Sequence, residues 1–158
     1  MRVLLAYVGY ILGGDLAVGI EAGHILEREG LPAIELSGDV FAMIDDLRKA
    51  APDVLILIGA VKRGRQPGTL EVYKYVPQRV EDPLEANDLL RPSLEGRISL
   101  EDLLAGFRVV DPPAREIYVV ECEPPHPDPV VGLSPEGEEC AKRLAEKAVE
   151  LYNYVRDR

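Results

Sequence analysis

Val3-Leu4-Leu5-Ala6-Tyr7-Val8-Gly9-Tyr10-Ile11-Leu12-Gly13-Gly14-Asp15-Leu16-Ala17-Val18-Gly19 reads as a buried strand, a glycine-rich turn and the first turn of a helix. Residues 2–8 are a near-continuous apolar run, as expected of a strand covered on both faces. A helix is expected from about residue 15 to 29, with Val18, Ala22, Ile25 and Leu26 on one face and Gly30 as its stop. Asp15 suits a helix start, where the dipole favours negative charge. The glycine spacing is neither a P-loop nor a dinucleotide fingerprint: no G-K-[ST] follows and G-x-G-x-x-G is absent.

Working outward, Pro32 to Leu36 reads as a second strand. Asp39 is the expected N-cap of a helix carrying Phe41, Ile44 and Leu47, which Pro52 ends. Val54 to Ile58 is a third buried strand. This β-α-β-α-β order predicts an α/β fold of three layers, α/β/α, with a mostly parallel twisted sheet. Thr69 to Tyr75 alternates, and it follows the third strand too closely for a helical crossover, so it is expected as an antiparallel edge strand. Residues 76–97 hold three prolines and several charges and read as mostly loop. Ser99 caps a helix whose apolar face is Leu100, Leu103, Leu104 and Phe107. Glu116 to Glu121 is another strand, and Glu123 to Val131, with four prolines, an extended loop. Ser134-Pro135 opens a final helix with Ala141, Leu144, Ala145, Ala148, Leu151, Tyr152 and Val155 inward.

The chain has 158 residues, 47% of them hydrophobic, enough for one domain over residues 1–158 with a sizeable core. With 18 basic against 28 acidic residues the net charge is −10, which argues against nucleic acid as a partner. The apolar runs are too short to span a bilayer, and the first strand leaves no room for a signal peptide, so the expected compartment is the cytoplasm. Asn and Gln number two each beside abundant Glu and Arg, a composition that suggests a thermophilic source. Two cysteines, Cys122 and Cys140, do not make a disulfide framework. Each is expected as a buried core residue, and a thiolate–imidazole pair between Cys122 and His126 is poorly placed across Pro124 and Pro125.

Four blocks of the chain resemble the hydrogenase maturation endopeptidases, which trim the C-terminal tail of nickel–iron hydrogenase large subunits. The opening segment keeps Gly9, Leu12, Asp15, Val18 and Gly19 of that family's G-x-G-N-x-L-x-x-D-[DE]-x-[IV]-G signature. Leu57-Ile58-Gly59-Ala60-Val61 followed by Gln66-Pro67-Gly68-Thr69 is similar to its [IV]-[IV]-D-A-[IV] and P-G-T. The run from Ser93 to Leu104 is similar to S-x-H-x-x-[GS]-L-x-x-[LV]-L, and Gly132-Leu133-Ser134-Pro135 to G-L-[ST]-P. Leu36-Ser37-Gly38-Asp39 departs from the family's D-G-G-T type segment.

The resemblance implies a site of two carboxylates and one imidazole, a set suited to a borderline divalent ion with open positions. In the family that ion is the substrate's own nickel. The three positions fall here on Leu16, Gly59 and Gly96, none of which can bind a metal, and the two glycines are expected to leave a void. No metal ligand and no cofactor is therefore assigned, and no catalytic residue. Asp15 is one place from the lost acid and Glu95 one place from the lost histidine, whereas no acid or histidine neighbours Gly59. His24 reads as an ordinary helix residue and His126 as a surface loop residue.

Ligands of open α/β sheets sit beyond the carboxyl ends of the strands. There this chain places Lys62-Arg63-Gly64-Arg65, an anion site, a dock for an acidic partner segment, or an ordinary solvated loop; the amides of the glycine turn could add to the first. Three readings follow. One is a non-catalytic relative of the endopeptidases, a pseudoenzyme that recognises a hydrogenase-like large subunit or related protein. Another is an active endopeptidase with ligands elsewhere. The third is an anion- or metabolite-binding protein that reuses the cleft.

Overall fold

A computed structural model describes residues 1–94 and 99–158, with the side chains of 93 and 94 left aside. The elements in chain order are β1 (Val3–Tyr7), a 3-10 turn at Gly14–Ala17, α1 (Val18–Arg28), β2 (Ala33–Glu35), α2 (Val40–Ala50), β3 (Val54–Ala60), β4 (Leu70–Tyr75), α3 (Pro83–Leu94), α4 (Leu100–Gly106), β5 (Glu116–Cys122) and α5 (Pro135–Arg156). The sheet order is β2-β1-β3-β5-β4. All pairs are parallel except β4 with β5. The antiparallel edge strand expected from 69–75 is thus present. It pairs with β5, a strand that enters the sheet later in the chain, rather than with β3.

The sheet is covered on both faces, which is why β1 and β3 are buried along their whole length. On one side Leu5, Tyr7, Ile56, Ile58 and Val120 pack against Val18, Ala22 and Leu26 of α1 and Ala141, Leu144 and Ala148 of α5. On the other, Leu4, Ala6, Leu55, Leu57 and Val119 pack against Val40, Met43, Ile44 and Leu47 of α2 and Leu100, Leu103 and Leu104 of α4. The helix caps are as expected. Asp39 Oδ1 accepts from Ala42 N at 2.8 Å, Ser99 Oγ from Asp102 N at 3.1 Å, and Ser134 Oγ from Gly137 N at 2.9 Å.

Three local expectations are corrected. Residues 76–97 are not mostly loop, because α3 occupies twelve of them. Pro83 sits at its first position, where no amide is needed, and Asp82 holds the first turn, its Oδ1 accepting from Leu84 N at 3.1 Å and its carbonyl from Ala86 N at 2.9 Å. In α2 the buried face is Val40, Met43, Ile44 and Leu47, while Phe41 is exposed. α2 ends on Ala51 in the left-handed region at φ 49°, with Pro52 just behind it. Finally, Cys122 and Cys140 are buried, as expected, but they are joined in a disulfide that ties the end of β5 to α5. Among the described residues no helix is long and apolar enough to cross a membrane.

Candidate functional site

The carboxyl ends of β1, β3 and β5 bring together the 9–15 turn, the 61–69 loop and the 123–134 loop. Asp15 lies at the centre and is fully buried. Its Oδ2 accepts from His126 N at 2.9 Å and Ser134 Oγ at 2.6 Å, and its Oδ1 from Ser134 N at 2.9 Å. The backbone reciprocates: Gly14 N donates to Val130 O at 2.8 Å and Asp15 N to His126 O at 3.0 Å. A buried carboxylate is costly unless its lone pairs are filled, and here neutral N–H and O–H donors fill them. Gly137 is part of the fit, because a Cβ there would collide with the Asp15 carboxylate. Asp15 therefore is not the open cleft acid expected of a displaced ligand. It fastens the glycine turn to the start of α5.

Two of the three positions where the resemblance puts metal ligands, Leu16 and Gly59, lie among the described residues. Leu16 is half-buried and packs on the α1/α5 core. Gly59 is buried, and the expected void is absent: a Cβ at Gly59 would meet Val8 O at 2.9 Å and Leu100 Cδ2 at 3.2 Å. Leu100, from the start of α4, packs against this position. On the opposite flank Gly19 of α1 approaches so closely that its own Cβ would lie 2.9 Å from Gly59 Cα. Gly96 and Glu95 lie outside the described residues. Among the described residues no three His, Cys, Asp or Glu side chains gather as a metal site.

Two of the cations expected to line an anion site face carboxylates instead. Glu121 stands on β5 directly beside Gly59 in the register and is fully buried. Arg63 Nε reaches its Oε2 at 2.6 Å and Arg63 Nη2 its Oε1 at 2.9 Å, a two-point contact. Arg65 Nη1 lies 2.9 Å from Glu121 Oε2 and 3.2 Å from Glu71 Oε1. Tyr73 donates its hydroxyl to Glu121 Oε1 at 2.5 Å. Glu123 Oε1 accepts from Arg63 N at 2.8 Å and from Arg65 Nε at 3.0 Å, and Arg65 Nη2 donates to Val61 O at 2.8 Å. Lys62 is exposed and has no polar partner among the described residues.

The electrostatics follow from this packing. Burial pushes the Glu121 carboxyl up, but the Arg63 and Tyr73 hydrogen bonds and the two guanidinium charges outweigh it, so its pKa falls below the ordinary value. Glu123 shifts the same way, with the Arg63 amide and Arg65 overcoming burial. Tyr73 moves upward through burial and through its bond to Glu121. The cluster is thus fixed as two carboxylates, two guanidiniums and a neutral phenol.

The remaining candidates are peripheral. His24 is exposed on α1, its ring edge-on to Tyr7. The His126 ring is 54% exposed, with Nε2 3.6 Å from Glu136 Oε2. A Cys122–His126 catalytic pair is excluded because the Cys122 sulfur is bonded to Cys140. Sequence reading missed Glu121, Glu123, Tyr73 and Ser134 as organisers of this edge. One signal was there: acids at the end of an otherwise apolar strand demand buried partners, and the only nearby cation run is 62–65.

Several large apolar side chains are exposed on the two loops that Asp15 joins. Tyr10, Ile11 and Leu12 are 43%, 60% and 53% exposed, and Val130 and Val131, on the loop bonded to Gly14, are 55% and 73% exposed. Five such side chains on two mutually fastened loops exceed the scattered exposure of an ordinary surface.

No protein-family model and no curated protein matches the sequence. Solved structures do match the fold. The chain aligns with the hydrogenase maturating endopeptidase HybD of E. coli at a TM-score of 0.68 and 21% identity, covering 98% of this chain and 94% of that one. With the [NiFe] hydrogenase maturation protease HybD of Thermococcus kodakarensis the values are 0.65 and 20%, over 96% and 99% of the two chains. With the hydrogenase 2 maturation peptidase of Thaumarchaeota archaeon SCGC_AB-539-E09 they are 0.61 and 24%, over 96% and 98%. The chain has the fold of the hydrogenase maturation endopeptidases over nearly its whole length.

Proposed function

We propose that this protein is a non-catalytic member of the hydrogenase maturation protease family, one that binds a hydrogenase large subunit or a closely related protein without cutting it. The observation that carries the reading is the crowding of position 59. A Cβ at position 59 would already press on Val8 O at 2.9 Å and Leu100 Cδ2 at 3.2 Å, so the fold crowds the first carbon of any side chain at the central ligand position of the family. The packing of half-buried Leu16 against the core and the commitment of Asp15 to Ser134 and His126 support the same reading. The apolar surface of Ile11, Leu12, Val130 and Val131, at the edge where α/β proteins bind ligands, supports a protein partner. The anion-binding alternative loses its support because Arg63 and Arg65 are engaged by Glu121 and Glu123.

The test uses a purified nickel-loaded large-subunit precursor. Calorimetry is expected to show a complex that the double variant Ile11→Ser, Val131→Ser weakens by about tenfold or more. Mass spectrometry is expected to show an intact precursor tail after incubation. Specific tail removal by the unmodified protein would overturn the reading in favour of an active endopeptidase. Absence of any complex would remove the partner assignment.

A further inference from the structure

We propose that the Cys122–Cys140 disulfide is a redox-sensitive staple that sets the arrangement of the exposed apolar side chains on the two loops that Asp15 joins. The bond joins residues 18 apart and encloses the segment 123–139 as a ring. Every partner of the Asp15 carboxylate lies inside that ring: His126 N, Ser134 N and Ser134 Oγ. So do both acceptors of the glycine turn, Val130 O for Gly14 N and His126 O for Asp15 N. Gly137, whose missing Cβ makes room for the carboxylate, is in the ring as well. One side of the exposed apolar surface, Val130 and Val131, is carried by the ring. The other side, Ile11 and Leu12, is carried by the turn hydrogen-bonded to it. Beyond the ring, Cys122 O accepts from Val61 N at 3.0 Å, and Cys140 is buried in α5, so the staple joins the sheet to that helix across the loop.

Opening the staple takes a dithiol reductant. One reductant thiolate attacks a sulfur, the S–S bond breaks, and a mixed disulfide forms. The second reductant thiol then closes the reductant into its own disulfide, and Cys122 and Cys140 are left as two thiols with two electrons and two protons gained. Both sulfurs are buried, so the attack follows a local opening at the start of α5. With the ring opened, the segment 123–139 regains conformational freedom that the cross-link had removed. The five hydrogen bonds to the glycine turn are then held by the loop alone.

Hydrogen exchange on the whole chain tests this, comparing the oxidised protein with the same sample reduced by dithiothreitol. The amides of Gly14, Asp15, His126 and Ser134 are expected to exchange about tenfold or more faster after reduction, while Leu5 of β1 and Ile56 of β3 change by less than about twofold. The double variant Cys122→Ala, Cys140→Ala is expected to reproduce the reduced pattern with or without reductant. Should that variant fail to fold, reduction and air reoxidation of the natural chain give the same comparison reversibly. Equal acceleration everywhere, or none at the four amides, would overturn the proposal. So would two titratable thiols in protein purified without reductant.

Discussion

Two buried carboxylates at the same edge of one sheet are stabilised in opposite ways. Asp15 is held by neutral donors, two backbone amides and one hydroxyl, all from a single loop. Glu121 is held by two guanidiniums and a phenol, delivered by the 61–69 loop and the edge strand β4. Both solve the same desolvation problem. The first depends on where the backbone runs and falls off within hydrogen-bond distance. The second depends on charge, acts over a longer range, and responds to salt and pH. The contrast teaches that the α1/α5 side of this edge is set by shape, and the β4/β5 side by electrostatics.

The largest expected effect comes from breaking the charged half. Glu121→Gln leaves Arg63 and Arg65 without their shared carboxylate and is expected to cost about 3–5 kcal/mol in urea unfolding. On the neutral half, Asp15→Asn turns one acceptor into an N–H donor aimed at other donors, with an expected cost of about 2–3 kcal/mol. The comparison sharpens with ionic strength. Raising salt from low to molar concentration is expected to shrink the difference between wild type and Glu121→Gln, and to leave that between wild type and Asp15→Asn unchanged. Equal salt responses would erase the distinction. Smaller still is Ser134→Ala, which removes both an Asp15 partner and the cap on Gly137 N at about 1–2 kcal/mol.

The smallest expected effect is a slope. Glu121 and Glu123 are depressed below their ordinary value of 4.5 in the folded state. Depressed folded values mean that their stabilisation is fully present above about pH 4.5 and is lost as pH falls through the folded values. Urea midpoints between pH 5 and pH 3 are expected to fall less steeply in Glu121→Gln than in wild type. A parallel pair of curves would show that the arginines do not hold Glu121 charged.

The architecture was largely legible because it rests on periodicity. The buried runs at β1 and β3, the caps at Asp39, Ser99 and Ser134, and the alternation of β4 each carry their signal within a few residues. α3 was not legible, because three prolines read as breakers, whereas Pro83 in fact opens the helix. The site was less legible, for a physical reason. Which cation meets which acid, and which leucine packs against a glycine, are facts about residues 41 to 119 positions apart, such as Gly59 with Leu100 or Asp15 with Ser134. Leu16, Gly59 and Gly96 could be recognised as lacking donors. That Gly59 would be walled in rather than hollow could not be read from spacing.

That wall bears on which substitutions the chain accepts. Because Val8 O and Leu100 crowd the side-chain direction of Gly59, a carboxylate placed there has to be accommodated by a shift of β1 or of Leu100. Trimming Leu100 to make more room would leave a gap in the α2/α4 core, where it is buried. The cost of the smaller side chain at 100 and the crowding at 59 are therefore coupled rather than additive. A designed acid at position 59 is thus a problem of two residues on different elements, β3 and α4, that have to be changed together.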